Sequence, residues 1–212
     1  MKSEETCRRD LGKGILAGVV GGLIGTIVMT EFQNAWAAAS QKLKKGNSGK
    51  QSGSDQDEQS QQEKESATMK AAGKLGEVVG YRLSHEQKRK LAPVVHYGFG
   101  TLQGAAYGVS LEFVGNRGGM VAGLAFGAAL FVLADEVAVP AAGLSDKPSE
   151  TPVSSHLYGL AAHLVYGISA EIARRGMRAI LATGEISIPQ EPYAYDVSAS
   201  RDAAGHPFSR GA

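Results

Sequence analysis

The side chains with chemistry to offer in this sequence are few, and most of them interrupt or end apolar stretches. Glu31, His96, Asp135, Glu136, His156 and His163 each sit in or beside a run dominated by Gly, Ala, Val and Leu. Imidazole titrates at about pH 6.5 and carboxylates at about pH 4. Held together, the two kinds of group can take up and release protons, or offer nitrogen and oxygen ligands to a divalent metal. A second set pairs acids with arginines: Glu112 with Arg117, and Glu171 with Arg174 and Arg175. Residues three or four apart on a helix are neighbours, so the Glu171 spacing suits an ion pair. The sequence has no glycine-rich phosphate loop, no H-E-x-x-H, no C-x-x-C and no nucleophile elbow. No catalytic residue is assigned, an enzyme is the less expected class, no cofactor is implied, and metal binding is left open.

The elements that must carry these groups follow from where charge is absent. Overall composition suggests a soluble protein, with 20% charged residues and a mean hydropathy of −0.13. The average misleads because polar residues are segregated: stretches 14–30, 118–134 and 157–170 contain no Lys, Arg, Asp or Glu. The chain reads as four apolar segments, 11–39, 94–114, 118–139 and 156–173, the third stopped by Pro140. A hydrocarbon core of about 30 Å needs roughly 17–25 helical residues, which each segment approaches. The short connection Gly115-Asn116-Arg117 makes the second and third an antiparallel hairpin. Residues 40–66 are polar and aperiodic and read as a disordered linker. Residues 67–91 place Met69, Ala72, Leu75, Val78 and Val79 at helical spacing, an amphipathic helix on the membrane surface, and Ser84 caps the basic start of the next segment. Residues 179–212 read as a polar tail. The net charge of +1 gives no argument for nucleic acid, and the single Cys7 allows no internal disulfide. A cleaved signal peptide would begin similarly, but the first apolar run is long for one.

Glycine decides between water and lipid. Gly14, Gly18 and Gly22 recur at every fourth residue, as do Gly100, Gly104 and Gly108, and Gly119, Gly123 and Gly127; Gly159 and Gly167 flank His163. Each would cost a helix in water about 1 kcal/mol relative to alanine. In lipid the helix persists because its backbone has no other partner, and small residues at this spacing let helix backbones approach closely. The expected fold is all-α, an integral membrane bundle of about four glycine-rich transmembrane helices with a polar linker and tail. A soluble bundle of short helices is the competing reading. The lipid bilayer is the expected partner, with homo-oligomers formed through the glycine faces.

Segments two and four share a pattern: residues 107–112, Y-G-V-S-L-E, recur as 166–171, Y-G-I-S-A-E, with His163 where the first copy has Gly104. Four alternating spans bring Glu31, His96, Asp135, Glu136 and His156 to one membrane surface. Glu112, Glu171, Arg117, Arg174 and Arg175 go to the other, as interfacial pairs whose loss costs about 1 kcal/mol or less. His163 lies inside its span, where its hydrogen-bond partner is expected on another helix. Basic residues in the short loops favour cytoplasmic termini.

Residues 14–18 with Gly25-Thr26, then His96-Tyr97-Gly98-Phe99-Gly100, Tyr107-Gly108, Phe126-Gly127, Asp135-Glu136, Pro140 and 163–167 resemble the YagU-like family of bacterial inner-membrane proteins. The resemblance covers about residues 11–40 and 67–175. It implies a multi-pass location in the bacterial inner membrane and a role in tolerating acid stress, and it brings no catalytic residues. The expected function is that of a non-enzymatic inner-membrane protein, a small transport or acid-stress accessory bundle. The alternative is a membrane-embedded metal-dependent protein or enzyme using the cluster of Glu31, His96, Asp135, Glu136 and His156.

Overall fold

A computed structural model describes residues 2–47, 65–115 and 118–183. Those residues form helices joined by short connections, with no strand among them. Helix α1 spans Lys2–Asn47, α2 Ala67–Val78 and α3 His85–Phe113; α4 runs through Met120–Leu130, a π-helical stretch Phe131–Ala138 and a last turn Val139–Ala141; α5 spans Val153–Thr183. Local signals explain the starts. The Ser66 hydroxyl accepts the Met69 amide at 3.3 Å to cap α2. At α3, Ser84 and Gln87 form a reciprocal capping box, with Gln87 N donating to Ser84 Oγ at 3.3 Å and Ser84 N to Gln87 Oε1 at 2.8 Å. Gly115 and Gly143, at φ 72° and 68°, supply the left-handed residues that turn the chain after α3 and α4.

Several boundaries differ from the sequence reading. Residues 40–47, assigned to a disordered linker, extend α1, because Gln, Lys and Leu there are good helix formers and no breaker precedes Gly46. The remainder of that linker, 48–64, lies outside the described residues. Residues 179–183, assigned to the tail, complete α5, and 184–212 are again outside. Of the apolar positions of this segment, Met69 and Ala72 are buried, whereas Leu75, Val78 and Val79 are exposed.

The four long helices alternate in direction. α1 packs along both α3 and α5, α4 packs along α5, and α2 lies on α3. The α1–α3 seam is glycine against glycine. A Cβ on Gly104 would fall on Gly22 Cα and Gly18 O, one on Gly18 on Gly104 O, and one on Gly22 at 2.6 Å from Gly100 O. Gly14 and Gly108 continue the seam. The α4–α5 seam uses Gly123 and Gly127 against Gly167 and the backbone of His163, and Gly159 receives the Phe131 ring. Gly119 faces open space and takes no part. The third seam, α1–α5, rests on Gly21 and Gly25, which the every-fourth-residue count missed: a Cβ on Gly21 would lie 2.6 Å from Ala170 O, and one on Gly25 3.0 Å from Tyr166. These stripes are occupied by neighbouring helices of the same chain.

The interior is polar where it is most enclosed. Arg174, Tyr166, Glu171 and Thr26 are the largest fully buried side chains. Large aliphatic residues point outward instead: Ile15, Leu16, Leu23 and Ile24 on α1, Leu102 on α3, Val121, Val132 and Leu133 on α4, and Leu157 and Ile172 on α5 are all exposed. Two stretches are long and apolar enough to cross a membrane, Asp10–Leu43 and Met120–Ala141. α3 and α5 are comparably long, but His96, Gln103 and Glu112 on one, and Glu171, Arg174 and Arg175 on the other, lower their hydropathy.

Candidate functional site

At one end the helices part around a cavity of about 890 Å³. α1 contributes Thr26 and Thr30, α3 His96, α4 Asp135 and Glu136, and α5 His156, His163 and Tyr166; α2 and the α4–α5 connection flank the mouth. The floor is closed by Tyr166, whose hydroxyl donates to Gly100 O at 2.6 Å across the bundle. Thr26 spends its hydroxyl on Gly22 O, 2.7 Å away within its own helix.

The π-helical stretch in α4 holds both acids. A π-turn adds a residue to the helical repeat and re-aims the side chains that follow. Here Glu136 meets His156 Nδ1 at 2.7 Å, and the other nitrogen of that ring contacts Pro148 O at 3.1 Å. His163 Nδ1 donates to Gly159 O at 2.9 Å and lies 3.6 Å from the Asp135 carboxylate. A carbonyl only accepts, so Nδ1 carries the hydrogen of this contact. The partner of His163 is therefore on its own helix, with Asp135 of α4 beyond hydrogen-bond distance. His96 is close enough to Asp135 and His163 to interact electrostatically, and its Nε2 is buried without a hydrogen-bond partner. At the mouth, Arg89 clamps Glu86 through two bonds of 3.0 and 3.1 Å. That hydrogen bonding holds the Glu86 carboxyl below its ordinary value.

The opposite end is closed, and its described carboxylates are paired with arginines. Arg174 Nε donates to Glu171 at 2.8 Å, both side chains being about 1% exposed. The Arg174 guanidinium also lies 5.9 Å from the centre of the Tyr107 ring. Tyr107 stacks on Phe126 at 4.2 Å, and Phe126 contacts Tyr166 at 5.7 Å, an aromatic layer between this ion pair and the cavity floor. Further out, Arg178 bridges Glu112 at 2.8 Å and Asp10 at 3.2 Å, tying α5 to α3 and α1.

The structure thus brings together His96, Asp135, Glu136, His156 and His163 but leaves out Glu31, which is exposed and does not line the cavity. Glu171 pairs with Arg174 as the spacing predicts, yet inside the bundle rather than at an interface, because α1 and α4 cover that face of α5 through Gly21 and Gly123. Arg175 is exposed. Glu112 takes Arg178, and Arg117, its expected partner, lies outside the described residues. Arg178 was legible in principle, one turn beyond Arg174 on the same face. Tyr166 as a floor and Asp10 as a third ion-pair member carry no local signal, since their partners are remote in sequence. No three His, Cys, Asp or Glu side chains among the described residues converge as a metal site. Comparison with family models, curated proteins and solved structures finds no match to this chain.

Proposed function

We propose that the chain is an integral membrane bundle, its four long helices crossing the bilayer, whose one-sided His/carboxylate cavity seats a small transported or sensed species. The observation that carries the reading is the inversion of polarity. In the two most apolar stretches only 39% and 28% of the residues are buried within the protein. A core helix of a soluble protein buries most of its apolar residues, and exposed apolar surface on this scale in water marks an interaction face. Lipid satisfies it here. The resemblance to the YagU-like family agrees with a multi-pass inner-membrane location and with an acid-stress role, to which histidines and carboxylates in a cavity are suited. A metal-dependent enzyme is not favoured, for want of three converging ligands among the described residues.

Topology tests the membrane half. In a Cys7→Ser background, cysteines at Lys42 and Ser145 should react alike with an impermeant maleimide on intact cells, and those at Val114 and Thr183 should behave oppositely. Identical labelling of Ser145→Cys and Val114→Cys, or release of the protein by alkaline carbonate, would sink four crossings. Acid survival tests the functional half. Cells carrying Asp135→Asn or His163→Leu at normal membrane levels should survive acid less well, and unchanged survival removes that role.

A further inference from the structure

We infer that the cavity binds a small organic monocation, an amine on an apolar body, with the Asp135 carboxylate as its counter-ion. The inference deepens the cavity reading above and rests on it. Several other charges near the mouth have partners among the described residues. Glu136 is taken by His156 at 2.7 Å, Arg89 by Glu86, Lys88 by Glu65 at 3.0 Å, and Lys74 by the carbonyl of Ala142. Asp135 differs. It makes no hydrogen bond with any described residue, and its side chain is 43% exposed to the cavity. The groups able to neutralise it are His163 and His96. His163 stands at 3.6 Å with its Nδ1 committed to Gly159 O, and His96 acts only at electrostatic range. No cationic side chain among the described residues hydrogen-bonds the Asp135 carboxylate.

The shape of the cavity selects the kind of cation. A volume of about 890 Å³ falls in the range of small-molecule sites, roughly 300–1,000 Å³, and a bare metal ion would leave nearly all of it empty. Three protein ligands for a metal do not converge among the described residues. Met29, Phe99, Leu130 and Phe131 give the wall an apolar character, which suits a hydrocarbon body behind a charged head.

The test is calorimetric titration of the full chain, purified in detergent, with benzylamine, benzyl alcohol and zinc chloride at neutral pH. Benzylamine should bind and the isosteric alcohol should not. Asp135→Asn should weaken the amine about tenfold or more, as expected when a charge loses a partly desolvated partner. Asp135→Glu, which keeps the charge, should retain most of the affinity, and Glu112→Gln, at the closed end, should change it by less than about threefold. Equal binding of alcohol and amine overturns the proposal, as does an affinity unchanged in Asp135→Asn. Zinc binding that depends on Asp135, with no amine binding, overturns it in favour of a metal. These readouts use detergent-solubilised protein and do not depend on topology, so their failure is separable from failure of the membrane reading.

Discussion

The two ends of the bundle use the same side-chain chemistry to opposite effect. At the closed end every carboxylate named above has an arginine: Glu171 has Arg174, and Glu112 and Asp10 share Arg178. At the open end one carboxylate, Glu136, has a histidine, while Asp135 faces a cavity with its nearest base beyond hydrogen-bond distance. Satisfied charges in a low-dielectric interior hold helices in register; an unsatisfied one beside empty volume is poised for a ligand or a proton. The paired end therefore governs stability, and the open end governs what the protein meets.

The largest expected effect lies in the paired end. Glu171→Gln leaves Arg174 charged and enclosed, which should cost about 3–5 kcal/mol of stability, well above the cost expected for an interfacial pair. A detergent melting curve close to wild type would erase the distinction between the ends. Next comes the glycine seam beside it. Gly104→Leu drives a side chain into the backbone of α1 at Gly18 and Gly22 and should cost about 1–3 kcal/mol or more. Leu102→Ala on the exposed face should stay within about 0.5 kcal/mol, and equal melting temperatures for the two would deny that the seam is a close contact. Glu112→Gln should cost about 1 kcal/mol, because Arg178 keeps Asp10. That makes the two glutamates of the repeated Y-G-x-S-x-E pattern unequal, and a double comparison with Glu171→Gln measures by how much. The smallest stability change is expected at the open end, for His163→Leu. Its one hydrogen bond is to its own helix, worth about 0.6 kcal/mol on the scale of membrane helices. A loss rivalling that of Glu171→Gln would show that His163 holds the bundle together.

Much of the architecture was legible in advance. Charge-free stretches and glycine spacing marked four helices, and Ser84 marked a helix start, because each is a local pattern read within one or two turns. The grouping of His96, Asp135, Glu136 and His156 followed from counting alternating helices. Glu31 was misplaced by the same count, which gives a residue's height along the bundle and not the direction it faces. The depth of Glu171 was also misjudged. Burial depends on what covers a residue, and its cover comes from α1 and α4, distant in the chain.

Sequence alone determined that the described residues are mainly helical and which helices carry small residues for close approach, since these depend on backbone propensity and spacing within a segment. Only the tertiary structure decided which glycine stripe meets which, that Gly21 and Gly25 make a third seam, and that the π-helical stretch of α4 gives Glu136 to His156 while leaving Asp135 open to the cavity. The reason is geometric. Pairing across helices depends on rotation about each helix axis to within a fraction of a turn, and that angle is set by the simultaneous packing of all four helices, not by any one of them.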